Sequence, residues 1–267
     1  MRFCALLETT LFHKTVILSE RSESKDLRSG AAYTFCMRNT IVVDISQFSF
    51  EEFITFLFNR EVPSAEKSFI YLAERGETKK WNPWYWGTET TFDSQHICDY
   101  YVLLFRQPNF LPERFTEAQL EQAFWAIQTT NLDCSVVNVI WNPELPFANR
   151  EECVRSMLYL FKNLFATNPL QTSVCMWWDS LCYCWHCGNK SRKNGGEDAA
   201  MQDVMFETLV EILALDSETC QGAALHGLSH LHHPSTEDVI RGYLGKHPTL
   251  NDEWRNAALG AARFDLM

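Results

Sequence analysis

The sequence lacks the features by which many enzymes and membrane proteins are recognised. No uninterrupted apolar run approaches the roughly 18 residues that a membrane-spanning helix requires, so we expect no membrane segment. The sequence also lacks the phosphate-binding G-x-x-x-x-G-K-[S/T] pattern, the dinucleotide-binding glycine fingerprint and the G-x-S-x-G motif of serine hydrolases. We therefore expect no cofactor and find no motif that predicts an enzyme.

Positive charge is also scarce. The 267 residues contain 23 lysines and arginines against 34 aspartates and glutamates, which gives a formal net charge of -11. A nucleic-acid binder needs a basic face to neutralise phosphates, so this balance disfavours nucleic acid as a partner. An acidic surface would suit a basic protein partner, although solvated acidic surfaces are common without one.

The N-terminus offers no export signal. Glu8, His13 and Lys14 interrupt its moderately apolar start, and no small-residue cleavage site follows. Disulfides need an oxidising compartment, so the ten cysteines are best interpreted as reduced thiols in a cytoplasmic protein.

A short polar segment raises a question about where the working protein begins. Residues 16–30, VILSERSESKDLRSG, have a turn-rich second half without apolar periodicity. They resemble a translated bacterial intergenic repeat of the kind found at wrongly extended reading-frame ends. We expect residues 1–36 to be a disordered or mis-assigned leader, with the folded chain beginning near Met37.

From Met37 onward the signals are mainly helical. Capping boxes, in which a Ser or Thr is followed three residues later by Glu or Gln, start at Ser49 and Thr116, and Asp93 is a plausible helix cap. We predict an all-α fold of nine or ten helices, with an N-terminal helical bundle over residues 37–148. One of these helices should cover residues 65–75. Residues 135–141, SVVNVIW, fit either a short strand or a buried helical or extended connector.

Residues 79–93, KKWNPWYWGTETTFD, have no periodicity and predict a loop. The loop carries four large aromatic residues: Trp81, Trp84, Tyr85 and Trp86. Such residues are enriched in binding hot spots, so the loop could recognise a partner. The alternative, which we favour, is a loop that folds back to cover helix ends.

Residues 175–189, CMWWDSLCYCWHCGN, contain four cysteines, one histidine and three tryptophans. Helical spacing accounts for the tryptophans, because Val174, Trp177, Trp178, Leu181 and Trp185 share one face. Gly188 then supplies a C-terminal stop. The composition therefore indicates the buried face of a helix.

The possible metal ligands of this helix are too dispersed to form a site alone. Cys175, Asp179, Cys182 and His186 form a stripe beside the apolar face, and the ends of the stripe are about 16 Å apart. A tetrahedral zinc shell is far smaller. Only neighbours such as Cys182 and His186 could share an ion, with further ligands from elsewhere. Cys184 and Cys187 spell C-x-x-C without the β-α-β context of a redox motif.

The C-terminal part repeats itself. Residues 203–209 align with residues 238–244, and residues 221–228 with residues 255–262, at offsets of 35 and 34. Each unit predicts a helix pair, 199–215 with 217–233 and then 236–247 with 252–264. This pattern resembles HEAT or armadillo-type repeats. The resemblance implies a short α-solenoid of antiparallel helix pairs over residues 149–267, and protein binding as its usual role.

One segment is suggestive of an enzyme. In HGLSHLHH, residues 226–233, His226 and His230 share a helical face as in a zincin, but Gly227 occupies the position of the catalytic glutamate. We interpret these histidines as surface or capping residues, with His232 and His233 at a helix end where the dipole favours them. The alternative is a metal-dependent hydrolase that uses His226, His230 and nearby acidic residues.

Taken together, these signals favour a non-enzymatic protein-binding module or scaffold. A small acidic helical protein without catalytic motifs also has the profile of an inhibitor or immunity protein that neutralises a basic toxin. In that case electrostatic steering would accelerate the encounter, and added salt would slow it.

Overall fold

The fold is all-α, as predicted. The computed structural model describes residues 41–62, 83–170 and 172–266. These ranges hold eleven α-helices, of which α3 and α5 are only four and five residues long. The helices are α1 (Phe50–Phe58), α2 (Ser94–Arg106), α3 (Leu111–Arg114), α4 (Glu117–Gln128), α5 (Val136–Ile140), α6 (Phe147–Leu160), α7 (Trp177–His186), α8 (Gly196–Leu213), α9 (Glu218–Leu231), α10 (Thr236–Lys246) and α11 (Asp252–Ala262).

A small parallel sheet accompanies the helices. Strand β1 (Ile41–Asp44) pairs with β2 (Thr88–Thr91), with Ile41 opposite Thr88. A 3₁₀ turn, Trp84–Gly87, leads directly into β2. The prediction of an irregular loop over residues 79–93 is therefore wrong for residues 84–91. A strand of four residues is too short to show a clear alternation, and its partner lies far away in the chain.

Side-chain caps fix several helix starts. Ser49 and Glu52 form the predicted capping box, in which the Glu52 carboxylate accepts from the Ser49 amide at 2.8 Å. Thr116 and Gln119 form the second box, and the Asp93 carboxylate accepts from the His96 amide at 2.8 Å. These local predictions are confirmed because each depends on residues within three positions.

Other helices start without a side-chain cap. Helix α6 begins at Phe147, directly after Pro146. Ser235 precedes α10 without making a side-chain capping bond. Residues 136–140 form α5, with Ser135 as the cap, which settles the choice between strand and helical connector. The helix predicted for residues 65–75 lies outside the described residues.

The second half of the chain is built from contacting helix pairs. Helix α8 packs against α9, and α10 against α11. Across the pairs, α6 packs against α8, α7 against α9, and α9 against α11. The four helices α8 to α11 lie where the repeat predicted them, with ends that differ by a few residues.

One hydrophobic core runs from Ile45 to Ala261. The boundary expected between residues 148 and 149 falls in the first turn of α6, inside this packed region. Rings from the two halves meet at Trp177, which contacts Phe105 and Phe124 at centroid distances of 5.7 and 6.0 Å. None of the helices in the described ranges has both the length and the apolar character that crossing a membrane requires.

Candidate functional site

The aromatic segment packs largely against the protein itself. Tyr85 is buried, and the Trp84 ring meets the Phe56 ring edge-on at 5.5 Å. The Arg60 guanidinium lies 4.3 Å from the centre of the Trp84 ring. Tyr85 is therefore unavailable to a partner, which corrects its place in the predicted recognition set. Trp84 and Trp86 are half-buried against the core, and Trp81 lies outside the described residues.

Two open hollows lie side by side along α2, and we call them together the α2 groove. The first, of about 340 Å³, is lined by Asp99, Val102, Ala148, Asn149 and Glu152. The second, of about 610 Å³, is lined by Ser46, Gln47, Phe92, Asp93, Gln95, His96 and Asp99. Asp99 belongs to both. The lining residues include three carboxylates and neither lysine nor arginine.

The carboxylates of the α2 groove differ in how they are held. Asp99 is exposed, and its carboxylate accepts a hydrogen bond from the side-chain amide of Gln95 at 2.8 Å. Glu152 forms an ion pair with Arg106 at the edge of the groove. Asp93 caps α2. Asp99 therefore contributes a negative charge to both hollows. Among the described residues, no lysine or arginine forms a salt bridge with it.

Helix α7 buries the predicted apolar face. Trp177, Trp178, Leu181 and Trp185 are all buried, so the helical interpretation of the tryptophans is confirmed, and Val174 is buried in the turn before α7. Gly188 ends the helix with φ of +76°, a conformation that favours glycine. None of the eight cysteines at described positions forms a disulfide.

The stripe on α7 faces histidines of α9. Three side chains converge, Asp179 from α7 with His226 and His230 from α9, and each offers one ligand atom within 4.8 Å of the others. The Nε2 atoms of His226 and His230 are 2.8 Å apart. The Asp179 Oδ1 atom lies 3.2 Å from the His230 Nε2 atom. We call these three residues the His–Asp cluster.

Gly227 permits the close approach of α7 and α9 that forms the cluster. A Cβ atom at this position would lie 2.5 Å from the Cβ of Trp178 and 2.7 Å from a methyl carbon of Leu209. Such distances are shorter than van der Waals contact. Gly227, which stands where a zincin has its catalytic glutamate, is therefore the residue that lets the two helices pack closely.

Neighbouring groups surround the His–Asp cluster. The Cys175 thiol lies 3.8 Å from the Nδ1 atom of His226, on the side of the ring away from the cluster. The His186 ring is tilted by 58° from the plane of the His230 ring, and the ring centres are 4.4 Å apart. Burial raises the pKa of the Asp179 carboxyl to about 7, because a desolvated carboxylate is costly.

The cluster corrects two interpretations made from sequence. His226 and His230 are only 5% and 1% exposed, so they are not surface or capping residues. The convergent group takes Asp179 from the α7 stripe, whereas the suggested pair was Cys182 with His186. Cys182 is fully buried, and burial raises the pKa of its thiol well above the ordinary value.

The two histidines at the end of α9 are also held differently than expected. His232 ends the helix in a left-handed conformation, with φ of 53°. Burial and the neighbouring His186 lower the pKa of His232, and burial lowers the pKa of His233. Both shifts favour the neutral ring, which runs against the expected stabilisation of charged histidines by the helix dipole.

The chemical capacity of the cluster follows from its donor atoms. Imidazole nitrogen and carboxylate oxygen are ligands of first-row transition metals such as zinc and iron. Sequence reasoning identified the α7 stripe and the His226–His230 spacing separately. Only the packing of α7 on α9 shows that the two sets meet. A comparison with protein-family models, curated proteins and solved structures finds no match for this chain.

Proposed function

We propose that the protein is a non-enzymatic binding module whose α2 groove receives a basic segment of another protein. The observation that carries this proposal is the groove itself: two adjoining hollows whose lining has three carboxylates, one histidine and neither lysine nor arginine. A positively charged peptide segment is the complementary occupant.

The net charge supports the same partner. The formal net charge of -11 attracts basic molecules over a longer range than the three carboxylates of the groove would alone. A cytoplasmic inhibitor or immunity protein that covers a basic toxin is the special case that we propose within this class. The stacked contacts of α6 with α8, α7 with α9, and α9 with α11 support a HEAT-like scaffold.

The competing function is a metal-dependent hydrolase centred on His226 and His230. The convergence of these residues with Asp179 favours metal binding. However, catalytic metals keep an open coordination position for water or substrate, whereas these three residues are at most 5% exposed. Burial therefore supports the binding module over the hydrolase.

A charge-reversal pair tests the module. Asp99→Lys places a cation at the centre of the α2 groove, whereas Glu253→Lys makes the same change at an exposed site on α11. Each variant and the wild type serve as bait in the native cell extract, and captured proteins are identified by mass spectrometry. We expect a basic partner that the wild type and Glu253→Lys capture and Asp99→Lys does not.

Binding kinetics with the captured partner then test the electrostatic part. The association rate constant should fall as salt concentration rises, because screening weakens steering. Equal capture by all three baits, capture of acidic partners alone, or an association rate that is independent of salt would contradict the proposal.

A further inference from the structure

The His–Asp cluster is a buried group of ionisable side chains, and its geometry is that of a ligand set. Two imidazole Nε2 atoms and one carboxylate oxygen point at a common region from two different helices. All three side chains are buried. Burying ionisable groups together is costly unless they are paired or coordinate a metal.

The proton inventory shows why a cation suits this arrangement. A neutral imidazole carries one N–H, and its other nitrogen carries a lone pair. The His230 Nε2 atom faces both the His226 Nε2 atom at 2.8 Å and the Asp179 oxygen at 3.2 Å. Two polar groups therefore face the single N–H or lone pair of the His230 Nε2 atom, whereas a divalent cation accepts electron pairs from all three atoms at once.

We propose that Asp179, His226 and His230 bind one divalent transition-metal ion, of the zinc class, that joins α7 to α9. Zinc holds nitrogen and oxygen ligands at about 2.0–2.2 Å, which places neighbouring ligand atoms roughly 3.3 Å apart. The two short separations in the cluster match that spacing to within about half an ångström. Small side-chain rotations therefore admit the ion.

Cys175 has a supporting role in the same site. Its thiol lies against the Nδ1 atom of His226, the nitrogen that faces away from the ion. A metal-binding histidine usually has a partner at its second nitrogen, which fixes the ring orientation. Cys175 is thus a positioning residue and not a ligand. The three protein ligands leave one position of a tetrahedral zinc shell for water, and their burial between adjacent packed helices is consistent with a structural ion.

Metal content and spectroscopy test the site directly. Full-length protein is stripped with a chelator, reloaded with Zn²⁺, passed through a desalting column and assayed for metal. We expect about one tightly held Zn²⁺ per chain, and an increase in thermal stability with Zn²⁺ concentration. Asp179→Asn, His226→Gln and His230→Gln should each abolish stoichiometric binding. His247→Gln, a histidine at the end of α10, is the matched control and should retain it.

A second measurement on the wild type keeps the test independent of variant folding. X-ray absorption of the Zn²⁺-loaded protein should show only nitrogen and oxygen neighbours. Cys175→Ala, which removes the partner of the His226 Nδ1 atom, should retain the stoichiometry with roughly 10- to 100-fold weaker affinity. Absence of retained Zn²⁺ in the wild type, unchanged binding in the three ligand variants, or sulfur in the first coordination shell would overturn the proposal.

Discussion

Gly227 is the residue on which the approach of α7 and α9 depends most directly. The nearest obstacle to an added methyl group is the Cβ of Trp178, at 2.5 Å. This atom is bonded to the backbone and cannot rotate away. The Leu209 methyl at 2.7 Å could move, but Leu209 is fully buried in the core. An added methyl group must therefore push the helices apart.

We predict that Gly227→Ala destabilises the protein by about 1–3 kcal/mol through overpacking. Alanine normally stabilises a helix interior by up to about 1 kcal/mol relative to glycine, so the steric cost must exceed that gain. Urea denaturation measures the difference. Gly222→Ala, on the same helix, is the control, because its Cβ would meet the Trp254 ring at an ordinary 3.6 Å. Equal stability of the two variants would contradict the steric explanation.

At the scale of elements, Glu121 connects α4 to the segment that leads into α7. Its Oε1 atom accepts hydrogen bonds from the Thr172 amide at 3.0 Å, the Thr172 hydroxyl at 2.7 Å and the Ser173 amide at 3.0 Å. Its Oε2 atom accepts from the Ser173 hydroxyl at 2.7 Å. The Trp125 indole also donates to Oε1 at 3.1 Å. A single carboxylate thus positions the approach to α7 and its Asp179.

We predict that Glu121→Gln costs on the order of 1–3 kcal/mol of unfolding free energy, because the Thr172, Ser173 and Trp125 donors lose a charged acceptor and keep only a weaker amide oxygen. Glu117→Gln, an exposed position on the same helix, should change stability by less than about 0.5 kcal/mol. Thermal and urea denaturation of both variants decide the question. A Glu121 variant as stable as the Glu117 control would rule out this role.

The elements that sequence predicts well are those set by nearby residues. The capping pairs Ser49–Glu52 and Thr116–Gln119 act over three positions, and the spacing of Trp177, Trp178 and Trp185 defines a buried face without reference to other helices. The glycine stop at residue 188 is equally local. Each of these depends on backbone geometry that the sequence itself determines.

The features that sequence missed depend on contacts between distant segments. Asp44 pairs with Thr91 in the sheet, and Cys175 meets His226 at a separation of 51 residues. Neither partner carries a pattern that identifies the other. Burial of His226 and His230 likewise follows from the close packing at Gly227, which a helical wheel of α9 alone does not reveal.

The two halves of the molecule share one hydrophobic core. The Phe124 ring of α4 contacts Phe58 at 5.5 Å, Phe165 at 5.0 Å and Trp177 at 6.0 Å. Phe58 lies before the predicted boundary at residue 148, and Phe165 and Trp177 lie after it. The thiol of Cys98 on α2 also donates to the backbone carbonyl of Asn149 on α6 at 3.5 Å. Separate unfolding of the halves would expose these fully buried rings to water.

We therefore predict a single cooperative unfolding transition, in which helical circular dichroism and tryptophan fluorescence change together with urea. Phe124→Ala should lower the unfolding free energy by about 3–5 kcal/mol. It should shift both signals equally, because the Phe124 ring packs against residues of both halves. All tryptophans remain in this variant, so both probes can still be used. Leu259→Ala, at a partly exposed position of α11, serves as the control with a much smaller expected effect. Two resolved transitions, or a Phe124 variant in which only one signal shifts, would show that the core is divided.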